Sequence, residues 1–391
     1  MVATFTTDPI AIVDVDSHLT EPAGLWVDRA PAKFKERVPK IVDDENGRPR
    51  WSIDGKPLGP IGNALVGPDG TKLQGERSTT PHRFEDIHKG AYDWNARLGW
   101  LDEHGIRQQV MFPNIPGFGA AQFFLHIEDV ELRTACVAIY NDAANDIQRE
   151  SGQRLLPLAL VPWWDLEETV RELRRIHDLG LVGITMCDSP NAYGLPALDE
   201  PEWEPFWSTA EDLGITIAFH IGSGHISKAN WNLTGGEYQA SNTVNAFLNN
   251  SWIITNLVYS GVLLKHPRLK IYSAETGVGW VPFLLEAMDY QWHENLLPEV
   301  RREVWRDMLP SELFRRNIYV SFWFERAGLM HALDVIGEDN VLFETDFPHG
   351  TSLTPRVQEE VANTLAALRP EVRKKVLAGN AARLYNLPKV G

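Results

Sequence analysis

Eight short runs of apolar, β-favouring residues recur along the chain, each followed by a longer stretch, and this alternation constrains the fold more than any other feature. The runs are AIVDVDSH (11–18), QQVMFPN (108–114), LLPLALVPW (155–163) and LVGITMC (181–187), then ITIAFHIG (215–222), LKIYSAETG (269–277), NIYVSFWFE (317–325) and NVLFETDFPH (340–349). Most are continuously apolar, as expected of parallel strands buried on both faces. Between them, NARLGWLDEHGI places Leu98 and Leu101 at i, i+3 and stops at Gly105. EDVELRTACVAIYNDAANDIQRES keeps the same period, and DLEETVRELRRIHDLG runs from a capping Asp165 to Gly180. Further helices are predicted over 201–213, 241–260, 280–296 and 355–366. Eight strands alternating with helices describe an α/β fold, a (β/α)8 TIM barrel, with a doubly wound open sheet as the alternative. Barrels of this length form one domain, so residues 1–391 are read as a single unit.

Residues 37–80 interrupt the rhythm. They are rich in Gly, Pro and Asp and contain the turn-prone DENG, IDGK and GPDG. This segment is expected to be an insertion after strand 1, a loop with a small hairpin, placed over the active-site end of the barrel. The C-terminal PEVRKKVLAGNAARLYNL is expected to be a closing helix on the barrel wall.

Charge narrows the partners. Lys and Arg number 37 against 53 Asp and Glu, a net charge of -16. Sequence-independent binding to nucleic acid or to an anionic membrane needs the opposite field, so neither partner is expected. A small anionic substrate is still compatible, because a metal or one local cation reverses the field inside a pocket. The two cysteines, Cys136 and Cys187, lie in apolar stretches and read as buried thiols in a reducing compartment. MVATFTTDPI lacks a basic region followed by an apolar run, and no stretch approaches the ~20 apolar residues that span a bilayer. The expectation is a cytoplasmic protein.

The polar residues collect where a barrel carries its chemistry, at the C-terminal ends of strands. Asp16 and His18 are two apart and project to one face of a strand, where both can reach one ion. His220 closes ITIAFH, Glu275 closes IYSAE, and Asp346 closes VLFETD just before His349. Asp16, His18, His220 and Asp346 make a mixed nitrogen and oxygen set suited to one divalent ion, Zn2+ or Mn2+. Asp14 shares their parity but lies about 6–7 Å further back, and reads as a buried acid bonded to backbone or supporting a ligand. Glu21 either braces these residues or caps a short turn. His225, in the loop after His220, is a candidate substrate contact. Trp163, Phe322 and Trp323 are candidates for an aromatic pocket wall.

These residues resemble the amidohydrolase superfamily, in the amidohydrolase-related branch that includes aminocarboxymuconate-semialdehyde decarboxylase and metal-dependent aromatic-acid decarboxylases. The resemblance runs through IVDVDSHLTEP, LGWLDEHGI, FHIGSG, HPRLKIYSAETGVGWVPF, ETDFPHG and LAGNAARLYNL, nearly the whole chain apart from 37–80. It implies a mononuclear barrel site, often in a homodimer, with Asp16-x-His18 as the acid-x-His form of the first-strand metal motif. His220 matches the strand-five histidine and Asp346 the strand-eight aspartate. The family's strand-six acid/base histidine is replaced here by Glu275. The activity implied is a carboxy-lyase acting on a small aromatic or conjugated carboxylate, with a proton from Asp346 or Glu275. The alternative is a hydrolase of an amide, ester or C–C bond, using a metal-bound water with Asp346 as base and Glu275 or His349 assisting departure.

Overall fold

The computed structural model describes residues 11–62, 64–73, 83–223 and 235–387. Twelve strands appear in it. β1 (Ile12–Asp14), β2 (His18–Leu19), β3 (Lys40–Asp43), β4 (Pro49–Ile53), β5 (Lys56–Gly59) and β6 (Ile106–Pro113) come first. β7 (Leu155–Pro157), β8 (Gly183–Thr185), β9 (Thr216–His220), β10 (Lys270–Ala274), β11 (Ile318–Phe322) and β12 (Val341–Phe343) complete the set. Parallel pairing runs β6-β1-β12-β11-β10-β9-β8, with β7 on the far side of β6. An isolated parallel bridge, Ala159 to Ile184, joins the end of β7 to β8 and closes the sheet into a barrel. All eight predicted strands are therefore present, and the TIM-like barrel prevails over the open sheet.

The strands are shorter than their apolar runs. The first breaks at Val15–Ser17, where hydrogen bonding passes from a regular ladder to single bonds: Val15 N donates to Phe343 O (3.0 Å) and Phe112 N to Ser17 O (2.7 Å). β2 then resumes beside β6, with His18 opposite Phe112. Asp16 thus sits on irregular backbone held between two neighbours. The predicted 241–260 helix is two, Gly235–Phe247 and Asn250–Tyr259.

Inside the barrel, Val13, Val110, Leu156, Ala218, Tyr272 and Leu342 pack as one cluster with Ala381, Leu384 and Tyr385. The C-terminal segment is thereby a plug under the barrel floor, not a helix on its outer wall. It is also three short pieces, Pro370–Lys374, a π turn at Lys375–Gly379 and Asn380–Leu384. Thr216 Oγ1 donates to Leu384 O (2.9 Å), fastening the plug to β9.

Within the insertion, the expected hairpin is a three-stranded antiparallel sheet, β3-β4-β5. Asp54 (φ 50°) and Gly55 (φ 76°) form the tight turn between β4 and β5, in the left-handed conformation that an Asp-Gly pair favours. Arg37 pairs with Asp54 (2.7 Å) and with Asp129 (2.8 Å), the cap of helix Val130–Glu150. Trp26, edge-on to Trp51 and Phe123, fills the seam. Residues 64–73 continue across the mouth of the barrel, where Leu65 N donates to Pro348 O (2.8 Å). Among the described residues no helix is long and apolar enough to cross a membrane.

Candidate metal centre

At the C-terminal mouth the strand ends converge. One ligand atom each from Asp16, His18, His220 and Glu275 lie within 4.8 Å of one another, and so do those from His18, Glu275, Asp346 and His349. His18 Nε2 is 3.4 Å from Asp16 Oδ1 and 3.2 Å from Asp346 Oδ1. His220 Nε2 is 3.4 Å from Asp16 Oδ2 and 3.3 Å from Glu275 Oε2. His349 stacks on His18 with centroids 3.6 Å apart, and its Nδ1 is 2.9 Å from Asp346 Oδ1.

Backbone and neighbouring layers set these positions. His220 Nδ1 lies 2.8 Å from the Ile221 carbonyl, which fixes Nδ1 as the protonated nitrogen and leaves the Nε2 lone pair for the centre. Asp346 N donates to Asp16 O (2.9 Å), so the two acids are coupled through the main chain. Behind them, Asp14 accepts from Thr345 N (2.9 Å), Thr345 Oγ1 (2.5 Å) and Gln109 Nε2 (2.7 Å). Arg97, fully buried, donates to Gln109 Oε1 (2.8 Å) and to His18 O (2.6 Å). Asp14 therefore braces the ligand-bearing segments without reaching the centre. Glu21 takes the second of its two expected roles: it accepts from Asn114 N (2.8 Å) and Ile115 N (3.1 Å) and caps the turn after β6.

The electrostatics are those of a cation site. Burial pushes His18 well below its ordinary range and His220 down to about 3, so both imidazoles are neutral and able to ligate. Burial, together with Glu344, Glu275 and Asp346, pushes Asp16 well up. Burial acts in the same sense on Glu275, reinforced by Asp346 and Glu344. Burial presses on Asp346 too, yet the His349 and His18 imidazoles beside it hold it below the usual carboxylate range. Both Asp16 oxygens, His18 Nε2, His220 Nε2 and Asp346 Oδ1 are buried with no hydrogen-bond partner. Orphaned polar atoms of this kind are costly in a folded protein, and a shared divalent ion satisfies all of them at once. The donor set fits such an ion.

Beside the centre opens a cleft of about 970 Å3, lined by Glu275, His349, Thr351 and Trp323 from the barrel and by Leu65 and Lys72 from the insertion. Trp323 stands in the cleft wall. Trp163 and Phe322 do not line the cleft: Trp163 is buried against Phe124, donating Nε1 to the Gly119 carbonyl, and Phe322 packs on Phe343. His225 lies outside the described residues. Sequence reasoning missed Glu344, which accepts from Ser321 Oγ (2.5 Å) and Tyr272 OH (3.1 Å) inside the barrel. Its signal was available, since Glu344-x-Asp346 repeats the spacing of Asp14-x-Asp16. It also missed Phe118, whose ring lies tilted against His220 with centroids 3.7 Å apart and which no spacing rule places there.

Comparison with known proteins bears on the fold and the family. The family profile described as Amidohydrolase (Amidohydro_2) matches residues 92–387, beyond Asp16 and His18. Gamma-resorcylate decarboxylase of Rhizobium radiobacter is 27% identical over 328 residues, covering 78% of this chain and 89% of that protein. An amidohydrolase structure from Mycobacterium avium subsp. paratuberculosis K-10 aligns with a TM-score of 0.72 at 21% identity, covering 96% of this chain and 99% of that one. A dihydroxybenzoic acid decarboxylase from Polaromonas sp. JS666, solved with manganese and 2-nitroresorcinol, aligns with a TM-score of 0.61 at 20% identity, covering 97% and 98%. At those identities the structural likeness establishes the barrel, and the profile, matching most of the chain, establishes more: the chain belongs to the Amidohydrolase family.

Proposed function

We propose that this protein is a metal-dependent decarboxylase of small aromatic carboxylates. The observation that carries the reading is the convergence of orphaned, buried acid and imidazole atoms at the barrel mouth beside an aromatic-walled cleft. Asp16, His18, His220 and Asp346 would hold one divalent ion. Two carboxylates and two imidazoles suit either Mn2+ or Zn2+. When bound, the ion supplies Lewis-acid polarisation and a template for the carboxylate and an adjacent oxygen.

The residues of the chain do the rest. Glu275 and His349 face the cleft, whereas Asp346 is buried behind them, so proton delivery falls to Glu275 with Asp346 orienting His349. Burial and neighbouring acids keep Glu275 protonated above the ordinary range, which is the state a donor needs. Its proton forms a C–H bond at the ring carbon bearing the carboxylate. The C–C bond then breaks, its electron pair returns to the ring, and CO2 leaves. Trp323 stacks alongside and excludes water. The family resemblance, with Phe283 and Tyr290 exposed on one helix, supports a homodimer.

Plasma mass spectrometry on protein purified without added metal tests the centre. Near-stoichiometric Mn or Zn is expected in the wild type and less than a tenth of that in His220→Ala. A wild type that neither holds nor takes up either metal sinks the reading. With metal present, CO2 release from aromatic acids supports the lyase, and 18O from water in an organic product would assign hydrolysis in its place.

A further inference from the structure

Phe118 stands on a tightly constrained loop. Residues 114–120 lead from β6 to helix Ala121–His126. Three of them, Gly117 (φ 72°), Gly119 (φ 64°) and Ala120 (φ 59°), hold the left-handed conformation. Ala120 is fully buried and carries a Cβ, so it is strained there. The loop is also fastened along its length. Glu21 holds Asn114 N and Ile115 N, Asn114 Nδ2 donates to Leu19 O (2.8 Å), and Ala120 N donates to Gly117 O (3.0 Å). Trp163 Nε1 donates to the Gly119 carbonyl, and a Cβ at Gly119 would overlap the main chain of Met186 and Cys187. The loop therefore lies directly on the backbone that follows β8.

This construction carries the Phe118 ring to the metal-holding histidines. Its centroid is 3.7 Å from that of His220, with 30° between the planes, and 5.4 Å from that of His18. Phe112 meets the same His220 ring at 4.7 Å and 62°, so two aromatic rings bound one imidazole. Among the described residues, the hydrogen bond of His220 is the one between Nδ1 and the Ile221 carbonyl (2.8 Å). That bond selects the tautomer, yet a single bond at Nδ1 leaves the ring free to rock about it and swing Nε2 off its direction. A flat ring lying against the imidazole face opposes that motion. Phe118 is itself only half-buried, and a residue needed for core filling alone would not require a strained turn to leave it there.

We propose that Phe118 is a positioning residue for the metal centre. Its ring holds the plane of the His220 imidazole, keeps Nε2 aimed at the ion position and screens that side from water. This rests on the reading of Asp16, His18, His220 and Asp346 as metal-holding residues. Phe118 has no polar atom and takes no part in ligation or proton transfer. Its effect is on how long the ion is retained.

Loading the protein with Mn2+ and following its loss into excess EDTA tests this. Release should be at least about tenfold faster in Phe118→Leu, which keeps apolar volume without a flat ring, in line with the cost of losing a group that orients a ligand. Phe118→Tyr, which keeps the ring, should stay within about threefold of the wild type. The metal-free forms of both variants should melt within a few degrees of the wild type. In Co2+-loaded protein the visible absorption bands should shift in Phe118→Leu and not in Phe118→Tyr. Equal retention by the wild type and Phe118→Leu overturns this proposal alone and leaves the metal centre standing. Equally fast release from both variants, or a metal-free Phe118→Leu that melts far lower, also overturns it by making Phe118 a packing residue. A wild type that takes up neither ion overturns this proposal and the metal centre together.

Discussion

Glu275 and Asp346 share a backbone conformation that few residues other than glycine adopt, with φ of 55° and 57°. Glu275 directly follows β10 and Asp346 comes three residues after the end of β12, and each costs on the order of 1–2 kcal/mol in an L-residue. The surroundings hold both turns, through Asp346 N to Asp16 O (2.9 Å) and Glu275 N to Glu344 Oε2 (3.4 Å). The left-handed turn swings each carboxylate off the strand direction and into the mouth, where a straight continuation would place it elsewhere. Their chemistry is separable by substitution. Glu275→Gln keeps the shape and removes the transferable proton, so metal content should stay at the wild-type level while kcat falls by about 10²–10⁴-fold. Plasma mass spectrometry and a CO2 assay on the same preparation check both. Loss of the metal in that variant would make Glu275 a ligand and not the donor.

Among elements, the segments flanking β1 are joined by buried acids instead of by apolar packing alone. Asp14 ties β1 to the Thr345 turn after β12, and Glu21 ties the end of β2 to the Asn114–Ile115 turn after β6. Burial pushes Glu21 up to about 7 from an ordinary 4.5, against the pull of its backbone hydrogen bonds. The folded state then holds this proton more tightly than the unfolded chain does. Its contribution is complete below about 4.5 and is lost as pH rises to about 7, a change of up to about 3 kcal/mol. Thermal melts between pH 4.5 and 7.5 should therefore show a steeper fall for the wild type than for Glu21→Gln, which cannot titrate. Parallel slopes would mean that Glu21 is ionised throughout. The sequence announced Glu21 only as a choice between bracing and capping, because the turn it caps lies 93 residues away.

For the whole molecule, the barrel divides its labour between ends. The C-terminal plug seals the floor through Ala381, Leu384 and Tyr385, and the insertion builds over the mouth. Outside, Phe283 and Tyr290 stand 77% and 62% exposed, seven residues apart on helix Val281–Asn295, and Trp252 on helix Asn250–Tyr259 is 75% exposed. Exposed aromatic rings of this size are unusual on the surface of a monomer and frequent in interfaces. The homodimer proposed above predicts twice the 44.1 kDa chain mass in light scattering. Phe283→Asp should shift that population toward monomer without lowering the melting temperature of the barrel by more than a few degrees. A wild type that runs as monomer at tens of micromolar excludes the dimer.

By itself the sequence determined the eight strands, the barrel and four strand-end ligand candidates, because burial on both faces and period-two spacing are local properties written in consecutive residues. Asp16, His18, His220 and Asp346 were legible for that reason. Tertiary structure alone decided what depends on contacts between distant segments. It brought Glu275 and His349 into the same cluster, set Glu344 behind them, and moved the C-terminal segment from the wall to the floor. It also withdrew Trp163 and Phe322 from the cleft and set Lys72 within it. An aromatic residue at a strand end packs inward or lines a pocket according to what stands opposite. An insertion reaches a site only through the bonds that fasten it, here from Leu65 to Pro348, 283 positions along the chain.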